Sequence, residues 1–328
     1  MAWCNPTCDA QEGLDTSEWD IIKKLNKNLT ARIQTKHGNT RQIKIKDSIR
    51  QGGVLSVNQY ALLMDEISKE ITKQKLGVDI PSINETIGCL LWMDDVILAT
   101  LEPKDMQKML DITNNVSGKY HIEFGQEKSK AMKIGGGKAK PEFKLGNMIL
   151  EYCDKYKYLG LIQNAKNNMK DHIVNMKSKV EGAYQTILSI AGNRQFKEME
   201  MKAIWELIES TIVAIITYGC EIWNSNKGET QEINRIMDNI IKRILLVPQS
   251  TPREALYIET GLLDPQIIGM KQKINMDHRL KIGKSTRLAK LARAEAPQTW
   301  KENIDQTKDH LKIEEDDMVG EPNTVKKT

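Results

Sequence analysis

Cysteine is scarce. Five residues in 328 (Cys4, Cys8, Cys89, Cys153 and Cys220) make an odd, scattered set. No disulfide framework is expected from them, and a reducing compartment inside the cell, nucleus or cytoplasm, fits better. Cys4 and Cys8 have no pairing histidine nearby, which sets a zinc site aside. Phenylalanine is rarer still, with three residues, so the core must be built from Ile, Leu and Met. No uninterrupted apolar run reaches the ~18 residues of a membrane-spanning helix, and none is expected. The opening Met1-Ala2-Trp3-Cys4-Asn5-Pro6 has neither a basic flank nor an apolar stretch, so no secretory signal is read there. An excess of charge is missing too: 48 basic against 44 acidic residues leave +4, which names no partner. The five histidines are dispersed and form no triad. What is present, 40% hydrophobic and 28% charged residues, excludes a globally disordered chain.

Local charge says more than the total. Lys23 to Arg50 carries nine basic residues against Asp47 alone, Lys128 to Lys144 six lysines against Glu142, and Lys271 to Arg293 eight basic residues against Asp277. Each block is either a solvated face or part of a groove for a polyanion.

Period-two alternation in Ala31–Thr35 and Gln42–Lys46, around His37-Gly38-Asn39-Thr40, predicts a β-hairpin. Ser56 to Lys75 reads as a helix that Ser56 can cap, with Tyr60, Leu63, Met64, Ile67 and Ile71 at helical spacing. Two short apolar strands, Gly88–Met93 and Val96–Ala99, flank Asp94-Asp95, and a helix is expected from Pro103 to Tyr120. Strand-like pieces follow at Lys130–Ile134, Phe143–Leu145 and Lys157–Leu161. Helices are expected at Lys170–Ala191, Glu198–Trp223, Glu229–Leu246 and Pro252–Glu259. The chain therefore reads as α+β, mixed before about Asn164–Lys170 and all-α after it.

Asp94-Asp95 is the sharpest chemical feature. Carboxylates inside an apolar run are costly to desolvate, and the tip of a tight hairpin exposes them while Leu90, Leu91, Ile97 and Leu98 stay buried. Adjacent carboxylates at a turn suit Mg²⁺, which takes hard oxygen ligands from few protein groups together with substrate phosphates. Asp-Asp is also ordinary turn composition. Upstream, Ile49-Arg50-Gln51-Gly52-Gly53-Val54-Leu55-Ser56 offers glycines for close backbone approach and donors for phosphate or base edges. Downstream stand Glu127-Lys128-Ser129 and Tyr156-Lys157-Tyr158-Leu159-Gly160.

In order and spacing these four pieces resemble the palm motifs of reverse transcriptases from non-LTR (LINE-like) retrotransposons. The resemblance covers about Trp19 to Arg279 and includes Thr251-Pro252-Arg253-Glu254-Ala255-Leu256 in the region after the palm. It implies Asp94 and Asp95 as catalytic metal ligands for two-metal nucleotidyl transfer with Mg²⁺. It implies Arg50, Gln51, Gly52, Gly53 and Lys128 at the nucleotide and template, and Tyr158, Leu159 and Gly160 supporting the primer end. The implied partners are an RNA template and a DNA primer, without a membrane. The implied organisation is an unstructured or remnant N-terminus (1–20), a partial palm of antiparallel strands and helices (21–165), a helical thumb-like region (166–300) and an acidic disordered tail (301–328). Two departures stand out. Trp92-Met93 replaces an aromatic followed by a small residue, and Asp9, Asp15 and Asp20 lack the setting of the family's first palm aspartate. The chain as given is thus expected to be an inactive fragment that binds nucleic acid, unless the remaining palm comes from another chain. The alternative is a non-catalytic protein- or nucleic-acid-binding module derived from such an element.

Overall fold

The computed structural model describes residues 27–45, 52–191 without 82, 83, 136 and 138, 200–282 without 224 and 225, and 296–311, with Ser17, Asp20, Ile21, Lys24 and Arg293. The chain divides into two compact units: Met1–Ala131 with Ala139–Glu151, and Met132–Lys138 with Tyr152–Thr328. Antiparallel strand pairs and helices make the fold α+β.

In the first unit, the alternating segments form β1 (Thr30–Ala31), β2 (Gln34–Thr35), β3 (Gly38–Asn39) and β4 (Ile43–Lys44). β2 pairs with β3 at the tip and β1 with β4 at the base, so the expected hairpin is a ribbon interrupted midway. Helix α1 (Ser56–Lys73) buries Leu63, Met64, Ile67 and Ile71, the stripe its spacing predicts. Its cap position is Leu55, without a side-chain hydrogen bond, so Ser56 opens the helix rather than capping it. β5 (Val78–Ile80) pairs with β6 (Glu85–Ile87), and β7 (Cys89–Trp92) with β8 (Asp95–Leu98). Gly88 links β6 to β7 where a Cβ would lie 2.1 Å from the Leu76 carbonyl oxygen, so only glycine fits. Cys89, Leu91, Val96 and Leu98 pack with α1 and with Met109 and Val116 of α2 (Pro103–Lys119). Glu66 ties the two helices, accepting from Lys119 Nζ at 2.7 Å and from the Tyr120 hydroxyl. Burial opposes the charge on Glu66, but those two donors outweigh it and hold the carboxyl below its ordinary range.

The strands expected at residues 130–134 and 143–145 shorten to β9 (Lys130–Ala131) and β10 (Lys144–Leu145), the latter paired with β11 (Met148–Ile149). Gln107 of α2 grips β10 from both sides, donating to the Lys144 carbonyl at 2.8 Å and accepting from its amide at 3.0 Å.

The second unit opens with β12 (Lys155–Tyr158) paired with β13 (Leu161–Asn164). The single strand expected at Lys157–Leu161 is thus a hairpin bend. Helices follow: α3 (Lys170–Ile190), α4 (Met201–Ile208), a π-helical turn (Glu209–Val213) and α5 (Ala214–Thr217). Then come α6 (Lys227–Leu245), α7 (Arg253–Thr260), α8 (Pro265–Ile282) and α9 (Gln298–Leu311). Ile204, Ile208, Ile212 and Ile216 share one core with Met176, Val180, Met237 and Ile241. By length and composition Met201–Ile222 is apolar enough to cross a membrane. Glutamates interrupt it, so the absence of an uninterrupted apolar run still holds. Its isoleucine stripe is nevertheless buried among the other helices, as a core helix requires. The helix expected to reach Trp223 stops at Thr217, and Gly219, left-handed at φ 72°, turns the chain into a 3₁₀ turn, Cys220–Ile222.

Glu229, 6% exposed, accepts from the amides of Met169 and Asn226, both at 3.0 Å, while the Asn226 side chain accepts from the Glu229 amide. This capping box starts α6 and fixes the entrance to α3 with the same carboxylate. Disorder was expected from residue 301, but α9 runs to Leu311, because Trp300 and Ile304 are buried with Ile274 and the Trp300 indole donates to the Glu221 carbonyl at 2.8 Å. Positions 312–328 lie outside the described residues.

Candidate functional site

The β7–β8 register sets the site. Trp92 pairs with Asp95, leaving Met93-Asp94 as a two-residue loop. Apolar residues on both strands hold the ribbon against α1, while Asp94 and Asp95 are both exposed at its tip. Met93 is left-handed at φ 54° and Asp94 is not. That is the pattern of a type II′ turn, whose first central position ordinarily takes glycine. Strained non-glycine residues of this kind cluster at functional sites. The bulk of Trp92-Met93 is accommodated by solvent, with the side chains 59% and 47% exposed.

Tyr60, in the second turn of α1, packs against the same buried cluster as Leu91 and Val96. Burial, and then the charge of Asp94, push its phenol above the ordinary tyrosine value. Gly52 is left-handed at φ 82°, with open space where a side chain would stand, and the Gly53 carbonyl accepts from the Ser56 amide at 3.1 Å. Arg50 and Gln51 lie outside the described residues. Lys128 ends an exposed turn in the same unit, in which its amide donates to the Gly125 carbonyl at 3.2 Å.

Tyr158, Leu159 and Gly160 belong to the second unit, at the β12–β13 bend. Two tyrosines that border these motifs carry no sequence signature of a site. Tyr60 was read as one more member of a helical stripe. Tyr218, whose hydroxyl donates to the Leu159 carbonyl at 2.7 Å, lies 59 residues away from it in sequence. The Tyr218-Gly219 interruption of an apolar helix was the available signal.

Two adjacent exposed carboxylates are hard oxygen donors of the kind that Mg²⁺ takes one or two at a time, completing its shell with water and phosphate. The donor set fits such an ion. Among the described residues no group of three or more His, Cys, Asp or Glu is gathered for a metal.

Residues 7–163 match the family model for reverse transcriptase (RNA-dependent DNA polymerase), beginning upstream of Trp19 and reaching through the β12–β13 bend. This part of the chain is thus similar to reverse transcriptases. A transposon-derived protein of Caenorhabditis elegans is 21% identical over 227 residues, covering 66% of this chain and 80% of that protein.

Proposed function

We propose that this chain derives from the reverse transcriptase of a non-LTR retrotransposon and binds an RNA template–DNA primer hybrid without extending the primer. The observation that carries the reading is the hairpin tip, where Asp94 and Asp95 stand exposed on a ribbon packed against α1.

In this reading Asp94 and Asp95 hold Mg²⁺, which in nucleotidyl transfer stabilises the developing charge of an in-line displacement. Gly52 and Gly53 let main chain approach the template or incoming nucleotide, with Arg50 and Gln51 as donors. Lys128 meets a phosphate, and Tyr158-Leu159-Gly160 supports the primer end. Residues 21–165 act as the palm and 166–300 as the thumb. The lack of extension follows from the sequence: Asp9, Asp15 and Asp20 lack the setting of the family's first palm aspartate, and with one carboxylate fewer the charge that positions two ions is reduced.

Fluorescence anisotropy of a labelled hybrid across salt concentrations tests the binding. Affinity should fall steeply with salt, and Lys128→Ala should weaken it alike for every sequence while lowering the log–log slope by about 1. Tight binding without a salt slope would favour a protein partner instead. Primer extension on an RNA template with Mg²⁺ should give no product. Extension that disappears in Asp94→Ala would overturn the inactive reading.

A further inference from the structure

The β12–β13 bend is built from an unfavourable residue. Tyr158 pairs with Leu161, so Leu159 and Gly160 form a two-residue loop, and both are left-handed, at φ 45° and 86°. This is the type I′ pattern, which glycine, asparagine and aspartate adopt readily. Leucine does not, because its Cβ crowds the backbone there.

Three contacts hold the bend in place, all within the second unit. The Tyr218 hydroxyl donates to the Leu159 carbonyl at 2.7 Å. Its ring lies close over Gly160, where a Cβ would stand 2.8 Å from Cε1 and 3.2 Å from the hydroxyl oxygen. Gly219 abuts Leu161, where a Cβ would come within 3.0 Å of Cδ2. Below the bend, the Ile162 amide donates to His172 Nδ1 at 3.3 Å, and His172 packs edge-on to Trp223.

Tyr218 itself is 53% exposed, between Ile216 at 1% and Cys220 at 4%, and stands outside the buried cluster that holds the helices together. Its hydroxyl serves one main-chain carbonyl of one turn, so its contribution is to the shape of that turn rather than to the core.

We propose that Tyr218 is a positioning residue: it locks Leu159-Gly160 into the one conformation through which the chain contacts the recessed 3′ end of a primer. The inference rests on the primer-support role proposed above. It adds a residue from the helical part of the chain to that role.

The test uses the full chain and two labelled hybrids of equal duplex length, one with a recessed DNA 3′ end on an RNA template and one blunt. The parent should prefer the recessed end. Tyr218→Phe keeps the ring on Gly160 and removes the donor. It should weaken recessed-end binding about five-fold, the loss of one hydrogen bond, and leave blunt-end affinity unchanged. Adding Leu159→Gly should restore the recessed-end affinity, since glycine holds positive φ unaided. Equal weakening of both hybrids, or a loss that Leu159→Gly does not restore, would overturn the positioning role. A parent that prefers the recessed end while Tyr218→Phe changes nothing defeats this inference alone. A parent without any preference defeats the primer-support reading and the inference with it.

Discussion

Arg253→Ala is expected to destabilise the helical unit by about 3 kcal/mol, the cost of stripping the partner from charges held largely out of water. Arg253 reaches two acids from different elements: NH1 to Asp238 of α6 at 2.9 Å, and NH2 to Asp264, just before α8, at 2.6 Å. Tyr257 donates to Asp238 at 3.1 Å, and the guanidinium lies 5.0 Å from the Tyr257 ring centre. The side chains of Arg253, Asp238 and Asp264 are only 24%, 15% and 21% exposed, so this is not a surface pair of negligible worth. Burial raises the Asp238 carboxyl even against the pull of Arg253, which shows how poorly it would tolerate losing that partner. Arg253→Lys should recover little, because an ammonium cannot bridge two carboxylates with a planar fork. Removing the acid as well, in Arg253→Met with Asp238→Leu, should recover part of the loss. Urea unfolding followed by circular dichroism measures all three. A loss below about 0.5 kcal/mol for Arg253→Ala would show the network to be ornamental.

Asp277→Asn is the second large effect. Asp277 is 2% exposed and faces Arg293 at 2.5 Å, Lys308 at 3.2 Å and Lys281 at 3.7 Å. Burial works against its charge, but the hydrogen bond and charge of Arg293, then those of Lys308, prevail and keep the carboxyl below the ordinary aspartate range. An amide of the same shape leaves three cations around a neutral group and should cost about 3 kcal/mol at pH 7. The pH dependence has a definite sign. A folded-state pKa below the unfolded value of about 3.9 means that the stabilisation is complete above pH ~4 and is lost as pH falls through the lower folded value. Parent and variant should therefore converge on acidification below pH ~4. A gap that stays constant down to pH 3 would assign the loss to packing instead.

The hairpin tip was legible in part: exposed acids join two apolar strands whose Leu91, Val96 and Leu98 pack against the core, but Leu90, expected to be buried, is 46% exposed. The stripe of α1 was legible for the same reason. What escaped depended on distant partners. Nothing near Leu159 announces that a tyrosine 59 residues later satisfies its carbonyl. Helix α8 went unread because Ile267, Ile268, Met270, Ile274 and Met276 mark no clean stripe, and its buried positions include Gly269 and Asp277. The stretch from residue 301 looked too charged to fold, yet Trp300 and Ile304 anchor α9 with few apolar residues. Ser56 looked like a cap because capping residues are recognised by type, whereas Leu55 occupies that position.

The central claim is that Asp94 and Asp95 are presented together so that a divalent cation binds at the β7–β8 tip. Paramagnetic broadening by Mn²⁺, standing in for Mg²⁺, tests it most directly on the full chain bound to an RNA–DNA hybrid. The amide signals of Met93 to Val96 should broaden first, and Asp94→Asn with Asp95→Asn should abolish that broadening while leaving the hybrid bound. Broadening centred elsewhere, or unchanged in the double variant, would contradict it.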